Sequence, residues 1–110
     1  MAALLAAIES GDDCRVSISA VNWCEILTRL HRDNPSVTPQ ELDALLGGVE
    51  LVSFGKKEAE IAAHYSLTYP EFSLGDRACL ALASTRKAVA WTTDKAWTRA
   101  KTEIAIEFLR

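Results

Sequence analysis

Long apolar runs are missing from this chain. Nothing in its 110 residues is long enough to span a membrane. The apolar opening, residues 1–8, is short, has no basic region before it and runs into Glu9, Asp12 and Asp13, so it is not a signal peptide. Cysteine is scarce too. Cys14, Cys24 and Cys79 form an odd set with no C-x-x-C spacing, which argues against structural zinc and for a reducing, cytoplasmic compartment. Cys24 and Cys79 fall inside apolar helical runs and are expected to be buried thiols. An excess of positive charge is also absent. Twelve Lys and Arg stand against 15 Asp and Glu, a net charge of -3, which is not the footprint of non-specific phosphate binding. A nuclease stays open, because carboxylates that hold a metal are themselves acidic. Internal repeats, low-complexity stretches and disorder-prone composition are all lacking.

What remains is ordinary globular material, 49% apolar and 25% charged, of a length that makes one domain. Its centre is Ser73-Leu74-Gly75-Asp76-Arg77-Ala78-Cys79-Leu80-Ala81-Leu82-Ala83. Ser73 is a good N-cap, and Asp76, three residues on, can close a capping box where the helix dipole favours negative charge. No charge occurs from Ala78 to Ala83, the mark of a helix buried on most sides.

Around this helix, the opening residues 2–10 read as a helix stopped by Gly11. Residues 16–21 alternate and are β-branched, a strand. Asn22 opens a helix to about Arg32, with an apolar stripe of Trp23, Cys24, Ile26, Leu27 and Leu30, and Asn22, Glu25 and Arg29 along its other side. Thr38-Pro39-Gln40-Glu41 is a strong helix start, and Gly47-Gly48 ends that helix. Residues 49–54 form a strand, 56–66 a helix, 67–72 a loop, 74–87 the buried helix and 88–92 a strand; Thr93-Asp94 then turns into a short helix through Trp97 to Lys101, and 104–109 is a last strand. The alternation implies an α/β fold, a parallel sheet with helices on both faces.

Ligands in open α/β sheets bind beyond the carboxyl ends of the strands. Glu25 lies one turn into the helix after the first strand, Asp94 just after the strand ending at Thr92, and Asp76 at the start of the helix feeding that strand. Converging carboxylates repel unless a proton or cation lies between them. Oxygen ligands without His or thiolate suit Mg²⁺ or Mn²⁺, which could activate water against a phosphodiester. Hydroxyls of Ser19, Thr92 and Thr93 fall at the same edge. Simpler roles stand beside this one: Glu25 paired with Arg29 at i, i+4, Asp76 as a capping acid, Asp94 as an N-cap. His31 and His64 read as exposed helix residues, Trp23, Trp91 and Trp97 as core or core edge, and Arg86-Lys87 as favourable charge at a helix C-terminus.

Three segments carry a family resemblance: Ser19-Ala20-Val21-Asn22-Trp23-Cys24-Glu25-Ile26-Leu27, the Ser73–Ala83 stretch, and Thr92-Thr93-Asp94-Lys95-Ala96-Trp97. Together they resemble the PIN domain, in particular the VapC-type toxins of bacterial toxin–antitoxin pairs. The resemblance implies a Mg²⁺- or Mn²⁺-dependent endoribonuclease acting on RNA, neutralised by a cognate antitoxin that lays a helix and an arginine-bearing tail into the acidic groove. It also implies a homodimer and no membrane association. Glu25, Asp76 and Asp94 match the family's metal-binding acids, and Thr92 its polar position beside the last acid. The family opens with a hydrophobic strand ending in aspartate, in the middle of its sheet; here the chain opens on residues resembling the helix before the family's second strand. The expectation is an N-terminally truncated PIN-like domain, weak or inactive as residues 1–110. The alternative is an inactive remnant that only binds an antitoxin or a partner toxin subunit. The strands at 16–21 and 88–92, without their shared neighbour, must pair with each other, leave edges bare or borrow a strand.

Overall fold

A computed structural model of the protein describes residues 6–9, 15–92 and 106–108. In chain order these form β1 (Ala6–Glu9), β2 (Arg15–Ser19), α1 (Ala20–Asp33), α2 (Pro39–Leu46), β3 (Glu50–Val52), α3 (Lys56–Thr68), α4 (Leu74–Arg86), β4 (Ala88–Thr92) and β5 (Ile106–Phe108). The five strands make one sheet in the order β3-β2-β1-β4-β5. The expected α/β fold is present, and β2–β3 and β4–β5 are its parallel pairs. The short helix expected from Thr93-Asp94 through Lys101 lies outside the described residues.

The opening segment departs from its expected form. Ala- and Leu-rich residues favour a helix locally, yet Ala6–Glu9 is a strand, antiparallel to β2 on one side and to β4 on the other. The reason is tertiary. Without a strand between them, β2 and β4 would each bury a row of unpaired N–H and C=O groups. β1 satisfies both rows at once, which outweighs a few tenths of a kcal/mol of propensity per residue. The middle strand of the sheet is thus supplied by the opening segment, antiparallel to both neighbours.

This pairing also fixes the levels of the outer strands. Ala7 faces Ser17 on β2 and Ala90 on β4. Two residues further along both, Ser19 and Thr92 end their strands at the same level. They lie two strand spacings apart, about 10 Å.

The core forms where α4 lies against β1, β2 and β4. Cys79, Leu80, Leu82 and Ala83 of α4 pack with Tyr69, Phe72, Ala88 and Ala90. The helix starts as its sequence suggests: Ser73 Oγ accepts from Asp76 N (3.2 Å), and Asp76 Oδ2 accepts from Ser73 N (3.0 Å). It ends at Lys87, whose φ of 52° is left-handed and turns the chain directly into β4. Arg86 reaches out of this last turn to make two bonds to the Glu50 carboxylate, 2.9 and 3.0 Å, tying α4 to β3. The Thr38 capping box of α2 is formed as expected.

The Asn22 edge of α1 differs from the amphipathic expectation. Among the residues of α1, Asn22 is the buried one, while Trp23, Ile26, Leu27 and Leu30 are half-buried and Cys24 is exposed. The expected burial of Cys24 is therefore corrected. The helix turns its Asn22 edge toward α4, and this rotation carries Cys24 to the surface. His31 and His64 are exposed, as expected.

Candidate functional site

β2 runs into α1 without a loop. Ser19 ends the strand and caps the helix, its Oγ accepting from Val21 N at 3.2 Å. This direct join sets the first turn of α1 beside the sheet edge. Its i, i+3 residues, Asn22 and Glu25, lie on neighbouring positions of one face.

Both meet α4 at the same residue. Asn22 Nδ2 donates to the Gly75 carbonyl at 2.9 Å, a buried bond between segments 53 positions apart. The Glu25 carboxylate lies against the Gly75 Cα, in the space a side chain would take. A Cβ on Gly75 would collide with Glu25 Oε1 and would stand 3.0 Å from its Cδ and 3.2 Å from Oε2. Asp76 is the next residue, only 8% exposed. The structure thus brings Glu25 to the residue preceding Asp76, although the two are far apart in sequence.

Asp76 does form the cap that its position suggested. Ser73 N and Ser73 Oγ both donate to Oδ2, each at 3.0 Å. The Glu25–Arg29 pair does not form among the described residues, where Lys56–Glu60 and Arg86–Glu50 are the ion pairs. Glu25 is exposed, so its carboxylate faces both Gly75 and solvent. Thr92 closes β4 at the level of Ser19. Asp94 and Thr93 lie outside the described residues.

The electrostatic effect of Asp76 reaches the core. Burial, and secondarily the Asp76 charge, push the Cys79 thiol up to about 12. This thiol stays protonated at neutral pH and is no nucleophile. Arg77, next along α4, is turned away from the acids. Its Nη1 donates to Ala62 O (3.1 Å) and its Nε to Phe72 O (3.4 Å), which pins the start of α4 to α3.

A groove of about 510 Å³ opens beside Glu25, lined by Ala20, Val21, Cys24, Phe54 and Leu74. Among the described residues Glu25 is its one charged wall. Leu74 is half exposed.

Among the described residues no group of three His, Cys, Asp or Glu side chains gathers as a metal site. The oxygen groups of this region are nonetheless of the kind a hard cation takes: the Glu25 carboxylate against Gly75, the Asp76 carboxylate one residue on, and a buried amide oxygen, Asn22 Oδ1, with no hydrogen-bond partner. Sequence reasoning missed the parts played by Asn22 and Gly75. A signal existed for the glycine: in the first turn of an otherwise Leu- and Ala-rich helix, Gly marks a close approach by another group. Asn22 carried no comparable signal, because its burial depends on the rotation of α1 against α4.

A model of the PIN domain matches residues 2–103. No curated protein and no solved structure gives a significant match. The matched span takes in every described element but β5, and the chain belongs to the PIN domain family.

Proposed function

We propose that this chain is a metal-dependent endoribonuclease of the VapC type, the toxin of a toxin–antitoxin pair, with Glu25, Asp76 and Asp94 as its acidic residues and Thr92 in support. The observation that carries the reading is the contact of the Glu25 carboxylate with Gly75, immediately before Asp76. That contact lies in the helix start beside which β2 and β4 end level with each other. Carboxylates that converge repel unless a cation lies between them, and Glu25 reaches the residue next to Asp76. The donors are all oxygen, so Mg²⁺ or Mn²⁺ suits them better than zinc. Such an ion, when bound, activates water and steadies the leaving oxygen of a phosphodiester. The chain's own residues provide the framework: Ser73 fixes the Asp76 carboxylate, Gly75 makes room for that of Glu25, and Asn22 locks their two helices together.

The groove beside Glu25 supports the antitoxin part of the proposal. An apolar trough ending on a single carboxylate suits an amphipathic helix followed by an arginine. The same groove favours a second reading, in which this chain binds a partner without cutting RNA. Cleavage of a structured RNA in Mg²⁺ or Mn²⁺ separates the two. The nuclease reading expects metal-dependent cleavage that falls at least about a hundredfold in Glu25→Gln, Asp76→Asn and Asp94→Asn. Cleavage unchanged in all three, or insensitive to chelator, would overturn it. Metal binding and antitoxin binding without cleavage, by the chain alone and by one extended with the family's opening strand, would establish the second reading.

A further inference from the structure

Asn22 is 97% buried, and its amide is half satisfied. The Nδ2 faces the Gly75 carbonyl, so the nitrogen must be on that side; a flipped amide would set two carbonyl oxygens against each other. This fixes Oδ1 as an acceptor, and it has no partner. Buried polar atoms are rarely left so, and an orphan points to a missing donor or ion. Among the described residues, the groups shown to meet at Gly75 bring acceptors. The Gly75 carbonyl and the Glu25 carboxylate are acceptors themselves, and Asp76 Oδ2 already receives from Ser73. Acceptors drawn together without a donor are what a hard cation satisfies.

We propose that Asn22 Oδ1 is an oxygen ligand of the cation held by Glu25 and Asp76. The assignment rests on the reading of those acids as a cation site and adds a neutral ligand to it. It also gives the Asn22–Gly75 hydrogen bond a second role. Besides joining α1 to α4, it holds the amide so that its oxygen is available before the ion arrives.

The test uses Mn²⁺ and the full chain. Side-chain amides occur only at Asn22, Asn34 and Gln40, so their nitrogen–proton NMR signals are few and separable. Asn34 lies at the far end of α1 from Asn22, about 18 Å away by helical rise. Substoichiometric Mn²⁺ should erase the Asn22 amide signal and spare that of Asn34. Mn²⁺ affinity, read by electron paramagnetic resonance of the free ion, should fall about tenfold or more in Asn22→Leu. In Asn22→Asp, which keeps an oxygen for the ion but gives up the Nδ2 bond to Gly75, affinity should fall less than in N22L. If N22L does not fold, the wild-type signals carry the test. An unaffected Asn22 signal, with affinity still lost in Glu25→Gln, would overturn the ligand assignment and leave the acidic pair standing. So would loss of the signal with affinity unchanged in N22L, because the ion is then only a neighbour. If wild type binds no Mn²⁺, the cation reading fails first and this assignment with it.

Discussion

Replacing Gly75 by alanine should separate stability from metal binding. Gly75 is the second residue of α4, in ordinary helical backbone, so alanine gains up to about 1 kcal/mol of helix propensity. The new Cβ lands on the Glu25 carboxylate, 3.0 Å from Cδ. That carboxylate is the free end of a flexible, exposed side chain and can swing out into solvent. An off-rotamer arrangement costs about 0.5–1.5 kcal/mol. The two effects nearly cancel, and the melting temperature should shift by only a few degrees in either direction. Binding has no such compensation. A displaced carboxylate should lower Mn²⁺ affinity by about tenfold or more, equivalent to about 1.4 kcal/mol. Calorimetric titration and thermal unfolding of wild type, Gly75→Ala, Glu25→Ala and the double variant close the cycle. In the Glu25→Ala background nothing obstructs the Cβ, so alanine at 75 should stabilise by its full propensity, and the difference measures the contact. Gly75→Ala with wild-type Mn²⁺ affinity and the full stability gain would refute the placement of Glu25 against α4.

Two further outcomes follow from the site and the core. Ser73→Ala should cost about 1 kcal/mol of stability in chemical denaturation while retaining Mn²⁺ binding, whereas Asp76→Asn should lose both, because Asp76 is cap and carboxylate at once. The Cys79 thiol, raised to about 12 from 9.0, keeps its proton in the folded protein at pH values where the unfolded chain loses it. Its contribution to stability is complete below pH 9 and disappears as pH rises toward 12. Between pH 9 and 10, wild type should lose roughly 1 kcal/mol more than Cys79→Ala. In a Cys14→Ser background at pH 8, a thiol reagent should label exposed Cys24 at once and Cys79 only on unfolding.

Much of this was legible along the chain because it is local. The caps at Thr38 and Ser73, the uncharged run of α4 and the alternation of β2 each depend on neighbours within a few residues. The start of α1 was read too late because Ser19, the last strand residue, is also its cap. Cys24 and Asn22 were assigned to the wrong environments because amphipathicity fixes which residues share a face but not how the helix rotates against α4. β1 was missed for a stronger reason. Its own residues favour a helix, and only the open rows of β2 and β4, the latter some 80 positions away, draw it into a strand. The site was half legible. Its candidate acids could be named from their positions in the chain, but the glycine that makes room for Glu25 and the asparagine that locks the helices become visible only when α1 and α4 touch.

The antiparallel middle strand divides the sheet into two parallel ribbons, β2–β3 and β4–β5, welded by four residues. The first ribbon leads into Glu25 and the second ends at Thr92, so the rim proposed as the active site straddles the weld. Sliding one ribbon by a single residue would offset the two banks by about 3.3 Å, more than the length of a metal–oxygen bond. The alignment of this small strand is therefore a gauge for the whole rim, and substitutions that loosen it should act at a distance from every acid.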